Sequence, residues 1–187
     1  MILADRNSPE AAIWQLVESC GYSADLPLWS ELLAGSRSVL DLGCGIGRVA
    51  RHLAGGERTV VGVEIDPVLA ADLNRLSKTE GISAIAGDAC HLAGLDLGRD
   101  GFDAVIAPQQ LLHIVGGKEQ RLRLLAGVKE RLAADGVAAF AISEWLPGES
   151  RPVDVLPDVR EIEDWVYASR PVAVEEDEDS LTVIRLR

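Results

Sequence analysis

The sequence predicts an α/β fold of three layers: a doubly wound, mostly parallel sheet with helices on both faces, ending in an antiparallel β-hairpin. Three observations carry this expectation. From Ser38 onward, short apolar runs alternate with longer amphipathic ones, the rhythm of βαβ units. The short runs are continuously apolar, as strands are when helices cover both faces of a parallel sheet. After residue 145 the rhythm stops, and two strand-like runs remain, joined by the acidic EEDED at 175–179.

Taken in order, Ser8, Pro9 and Glu10 supply an N-cap, a first-turn proline and a first-turn acid. They open a helix through Ile13, Trp14, Leu16 and Val17 that stops at Gly21. A second short helix is expected from Pro27 through Trp29, Leu32 and Leu33 to Gly35. Strands follow at 39–42, 59–65, 82–86, 102–107 and 137–142, with helices at 47–53, 67–79 and 118–133. In the last helix Leu122, Leu125, Val128 and Leu132 fall at helical spacing, and AADG at 133–136 ends it with Gly136 as a left-handed stop. Gly127 inside that helix costs about 1 kcal/mol relative to Ala, so close packing is expected there. The two final strands are read at 165–175 and 180–187; Pro171 lacks an N–H, which places its strand at a sheet edge or gives it a bulge. The stretch 146–164 reads as a connection holding at most one short helix.

Charge and composition narrow the function. The net charge of −12 repels phosphate backbones and anionic lipid, so neither nucleic acid nor a membrane is an expected partner. Cys20, Cys44 and Cys90 are odd in number and lack C-x-x-C spacing, which favours free thiols in a reducing compartment. The opening MILADRN has no apolar core, and no apolar run nears the ~20 residues a bilayer needs, so a cytoplasmic, soluble protein is expected. Three scattered histidines among unspaced cysteines make no metal site. The oligomeric state leaves no mark on the sequence.

The most informative segment is VLDLGCGIGRVA at 39–50. An apolar strand carries Asp41, then Gly43, Gly45 and Gly47 follow at alternate positions before a helix. Glycines adopt positive φ and let a ligand approach the main chain where a Cβ would block it. A small molecule at the carboxyl end of the strand is the expected occupant. Two more acids fall at the same edge. Glu64 lies 17 residues beyond Gly47, near the offset at which an acid accepts ribose hydroxyl bonds. Asp88, in GDAC after the third strand, is placed to face an adenine amino group. Asp66, just before Pro67, reads better as a helix N-cap. A dinucleotide fingerprint requires G-x-G-x-x-G, whereas Arg48 stands here where its third glycine would fall. Asp41 would repel a pyrophosphate and suit a cationic amine.

With these residues the chain resembles the class I S-adenosylmethionine-dependent methyltransferases, particularly their small single-domain members, over residues 20–187. The resemblance implies a Rossmann-like fold and S-adenosyl-L-methionine as cofactor, with S-adenosyl-L-homocysteine as product. It implies a single domain over 1–187: a helical lid at 1–37, a cofactor-binding core at 38–145, and a connection with hairpin at 146–187. By this resemblance Asp41 sits near the cofactor ammonium, with Gly43, Cys44, Gly45 and Gly47 beneath it. Glu64 and Ile65 take the ribose and its surroundings, and Asp88, Ala89 and Ala107 complete the cofactor set. Relatives place one of two antiparallel final strands between the fifth strand and the edge.

The expected chemistry is methyl transfer to a small-molecule acceptor, which demands alignment more than a large catalytic roster. APQQ after the fourth strand differs from the N/D-P-P-Y tetrad of relatives that methylate amides or adenines. His113 is the candidate general base, the alternative being a helix-terminal or core histidine. His52 and His91 read as structural or surface residues. Tyr22, Trp29, Gln109, Gln110 and Glu144 are the candidate acceptor residues, core packing being the other reading of the aromatics. Two further functions stay open: a non-catalytic cofactor-binding or partner-binding protein on the same fold, and an NAD-dependent oxidoreductase, which the glycine spacing disfavours.

Overall fold

The computed structural model describes residues 23, 25–77, 81–109, 111–142 and 182–186. Helix α1 (Leu26–Leu32) leads into β1 (Ser38–Leu42), α2 (Arg48–Leu53), β2 (Thr59–Glu64), α3 (Pro67–Leu76) and β3 (Ile82–Ala86). A 3-10 helix (Ala89–Gly94), β4 (Phe102–Ala107), α4 (Leu111–Ile114), α5 (Gly117–Arg131), β5 (Leu132–Ile142) and β6 (Thr182–Leu186) complete the order. The sheet runs β3-β2-β1-β4-β5-β6. All neighbours are parallel except β6, which lies antiparallel on β5 with Ala138 opposite Leu186 and Ile142 opposite Thr182. The expected helix at 8–21, the first arm of the hairpin with Pro171, and Cys20 lie outside the described residues. Among the described residues no helix is long and apolar enough to cross a membrane.

Side chains alternate across the central strands and so build two cores. Val39, Val60, Ala104, Ile106 and Ala139 pack with Trp29, Leu33, Val49 and Leu53 from α1 and α2. Leu40, Leu42, Val63, Val105 and Phe140 pack on the other face with Leu92, Leu124 and Val128. Asp41 shares the parity of Val39 and therefore faces the α1 and α2 layer. On that same face, a Cβ at Gly62 would collide with Cys44 Sγ and stand 2.9 Å from Cys44 Cβ. Gly62→Ala should lose about 2 kcal/mol through overpacking. Cys44→Ala in the same chain should recover part of this, because it removes the nearer of the two atoms; urea midpoints of the three proteins check the expectation.

At the outer edge of the sheet, the Asn74 amide spans one rung of β3. Its Nδ2 donates to the Ala84 carbonyl at 2.7 Å and its Oδ1 accepts from the Ala84 N–H at 2.8 Å.

Three expectations need correction around α5. The helix ends at Arg131, and Leu132 opens β5. Leu132 pairs with Phe102 and Val137 with Ala104, so two steps along β4 answer five along β5, and the extra residues at 133–136 form a bulge. Gly136 is no left-handed stop: it is absent from the positive-φ glycines, and a Cβ there would stand 2.9 Å from the Phe102 carbonyl oxygen. The buried face of α5 is Leu124 and Val128, whereas Leu122 is exposed. Leu122 and Leu124 lie about 200° apart on a helix of 3.6 residues per turn, so only one can face the core. Gly127 does pack closely, with a Cβ there only 3.2 Å from Leu92 Cβ in the 3-10 helix.

The strand order reverses between β1 and β4, since β1 pairs with β2 on one side and β4 on the other. Connections leaving β1 and β4 diverge there, the topology at which α/β sheets hold a ligand crevice outside the carboxyl ends of the strands.

Candidate functional site

The glycine loop crosses that crevice with three left-handed residues: φ is 70° at Gly43, 53° at Gly45 and 85° at Gly47. The loop is sewn to the end of β2, because the N–H groups of Gly43 and Cys44 both donate to the Val63 carbonyl, at 2.8 and 3.3 Å. At Gly47 a Cβ would also collide with Leu73 Cδ1, so this glycine serves packing against α3 as well as the turn. Burial, with Asp41 and Glu64 adding to it, pushes the pKa of the Cys44 thiol far up.

Glu64 is 6% exposed and clasps two loops at once. Its Oε2 accepts from Gly45 N–H at 2.9 Å and its Oε1 from Asp66 N–H at 3.0 Å. Each oxygen keeps a second lone pair. Asp66 caps α3 by accepting from Val68 N–H at 2.8 Å, as expected.

Asp41 is 1% exposed, and its Oδ1 has no hydrogen-bond partner among the described residues. Burial raises its pKa to about 7; the Arg48 charge pulls it down and Glu64 pushes it further up. Arg48 forms a bidentate pair with Asp25, at 2.6 Å from Nη1 to Oδ1 and 2.7 Å from Nη2 to Oδ2. Trp29 Nε1 donates to the same Asp25 Oδ2 at 2.9 Å. Both charged side chains of the pair are almost fully buried.

Trp29 corrects an expectation. It is 0% exposed, inside the α1 and α2 core, and offers no surface to an acceptor. Asp88 caps the 3-10 helix, accepting from Cys90 N–H at 2.8 Å, and its Oδ2 stands 3.0 Å from His91 Nδ1. Burial acts to raise its pKa, but the bonds from Cys90 and His91 prevail and hold it below the ordinary value. Ala89 opens that helix, buried, and Ala107 is the buried end of β4. Ile65 is 57% exposed directly after Glu64, an apolar side chain open at the crevice. Gln109 is exposed after β4. His113 is not in a loop but on the four-residue α4, half-buried, with its pKa lowered by burial and then by Arg121. Leu111 of α4 reaches the glycine loop, its Cδ1 3.5 Å from where a Gly43 Cβ would be. His52 stands 2.7 Å from Ser30 Oγ on the surface, as its structural reading requires. Tyr22, Gln110 and Glu144 lie outside the described residues.

Asp25 and Arg48 are the residues that sequence reasoning missed. They stand 23 positions apart, and no motif or periodicity links them in the sequence. A depression lined by Arg51, Glu57, Arg58 and Gly81 lies at the opposite, amino ends of β2 and β3. Arg58 there is occupied by the carbonyls of Leu33, Ser36 and Leu53.

The donor set fits an amino-acid nucleoside. A buried carboxylate with one oxygen unbonded among the described residues suits an ammonium, an acid held by two N–H groups with lone pairs to spare suits a diol, and an exposed isoleucine suits a flat ring. A family profile described as a methyltransferase domain matches residues 39–136, more than half of the chain. The chain belongs to this methyltransferase family. An uncharacterized RNA methyltransferase of Geobacter sulfurreducens is 33% identical over 132 residues, 68% of this chain and 25% of its own length. The sugar N-methyltransferase KedS8 of Streptoalloteichus is 25% identical with a TM-score of 0.59, over 74% of this chain and 56% of that one. A TehB-like SAM-dependent methyltransferase of Corynebacterium glutamicum shares the fold at 22% identity and a TM-score of 0.59, over 74% and 75% of the two chains. The chain thus spans about a quarter of the length of the curated relatives it matches. Its fold is the Rossmann-like one of the class I S-adenosylmethionine-dependent methyltransferases.

Proposed function

We propose that this chain binds S-adenosylmethionine between the glycine loop and the ends of β2 and β3 and transfers its methyl group to a small-molecule acceptor. The observation that carries the reading is Asp41: a buried carboxylate whose Oδ1 has no hydrogen-bond partner among the described residues, at the start of a loop of three left-handed glycines. In this reading Asp41 meets the cofactor ammonium, Gly43 and Gly45 pass beneath its methionine part, and the spare lone pairs of Glu64 accept the ribose hydroxyls. Ile65 covers one face of the adenine, and Asp88 and Ala89 border its edge. The cofactor supplies a methyl group on a sulfonium, already activated for displacement, so the protein's task is alignment and exclusion of water. In this reading His113, whose pKa is lowered by burial and by Arg121, takes the acceptor's proton; it is carried on the short helix whose Leu111 lies near the glycine loop.

The acidic surface supports a small acceptor, since a net charge of −12 opposes a polyanion. The sugar N-methyltransferase neighbour agrees with this. The RNA methyltransferase relative favours a second reading, with RNA as acceptor. Calorimetry should give a Kd for S-adenosylhomocysteine in the micromolar range, about −8 kcal/mol; absence of heat would reject the cofactor. Labelled S-adenosylmethionine should then pass its methyl group to a mixture of small amines and alcohols. Label appearing in total RNA alone would decide for the second reading, and binding without transfer to either would make the chain a cofactor-binding protein.

A further inference from the structure

The buried charges around the glycine loop do not balance. Among the described residues, Asp25, Asp41, Glu64 and Asp66 bring four buried carboxylates, against one nearly buried guanidinium on Arg48, and Asp66 is taken up by the Val68 N–H that it caps. Glu64 is satisfied by two backbone N–H groups. Arg48 is close enough to Asp41 to pull down its pKa, yet its two terminal nitrogens both bond Asp25. Asp25 is itself fixed from a third direction, by the Trp29 indole N–H from the next turn of α1. The fork geometry matches a carboxylate on two nitrogens, so Arg48 is held by Asp25 more firmly than a point charge would be.

We infer that Asp25 is a positioning residue that keeps Arg48 away from Asp41, and so preserves the Asp41 carboxylate for the ammonium of the bound nucleoside. The inference rests on the cofactor reading above. Its physical content is competition between two cations for one buried anion. With Asp25 in place, the Arg48 charge is neutralised at short range, and the ligand's amine is the counter-ion that completes the site. Without the Asp25 charge, the guanidinium becomes the internal counter-ion of Asp41, and the ligand must displace it from a low-dielectric setting, where such contacts are strong. Asp25, at the start of α1, thereby sets the selectivity of a loop 18–22 residues further along the sequence, without touching the ligand.

The test uses two probes, S-adenosylhomocysteine, which carries the ammonium, and 5′-methylthioadenosine, which lacks it. Asp25→Asn keeps an oxygen for the Trp29 N–H and removes only the charge. It should weaken S-adenosylhomocysteine at least about tenfold, or 1.4 kcal/mol, and leave 5′-methylthioadenosine within about threefold. Adding Arg48→Gln to Asp25→Asn removes the competing cation and should restore the preference for the amino-acid probe. If Asp25→Asn weakens both probes alike, or neither, the inference fails. Should that single variant not fold, the neutral pair decides: a preserved preference for S-adenosylhomocysteine supports competition, and a lost one refutes it. Failure of the parent protein to bind either probe would instead reject the cofactor reading.

Discussion

At pH 8 the Asp41→Asn variant is expected to melt above the parent protein and to have lost at least about tenfold in affinity for S-adenosylhomocysteine. The stability gain follows from linkage. The Asp41 pKa is raised by burial from 3.8 to about 7 in the folded chain, so between those values the native state binds the proton that the unfolded state releases. Stability from this group is complete below pH 4 and falls as pH rises, until about pH 7. Some three pKa units correspond to roughly 4 kcal/mol. Asn carries no charge at any pH, so the gap between the two melting curves should be absent at pH 4, open toward pH 7 and stay constant beyond. A bound ammonium acts in the opposite direction, favouring the carboxylate. Parent affinity for S-adenosylhomocysteine should therefore rise across the same window as Asp41 gives up its proton. Parallel melting curves across that window would remove Asp41 from the account.

Glu64→Ala should lose both stability and cofactor binding. The change strips the acceptor from Gly45 N–H and from Asp66 N–H together, in a site that is nearly closed to water. Each orphaned donor costs about 1–3 kcal/mol, so a loss of about 3 kcal/mol is expected, or on the order of 10 °C in Tm for a chain of this size. Glu64→Gln keeps one oxygen and turns an amide against the second N–H, so it should fall between parent and Ala. The two variants separate the clasp from the ligand contact. A Gln variant that melts with the parent but fails to bind S-adenosylhomocysteine would put the role of Glu64 wholly on the ligand.

The residues that announce themselves in this sequence do so through local rules. The glycine loop, the Asp66 cap and the five parallel strands follow from positive-φ demand, short-range capping and continuous apolar runs. What escaped depends on distance or on a tie between two local signals. Leu132 satisfies the spacing of the helix before it, yet tertiary pairing with Phe102 makes it the first residue of β5. Leu122 fits the helical spacing yet is exposed, and Leu124 takes the buried face against the 3-10 helix and the sheet. Trp29 reads as an aromatic near an entrance until β1 and α2 close around it. The Asp25 to Arg48 pair has no periodicity at all; it exists because α1 lies across the start of α2. Of the candidate site, the loop and its acids were therefore legible, and the charge arrangement that distinguishes one acid from another was not.

The Asn74 amide on β3 has a consequence for how such molecules keep apart. A bordering strand displays a row of bare donors and acceptors that can template a second chain. Here the middle rung of that row is already filled by a side chain imitating a peptide group. An incoming strand must first evict it. Among the described residues β3 is the last strand on this side, and a strand added there would find the Ala84 donor and acceptor already taken.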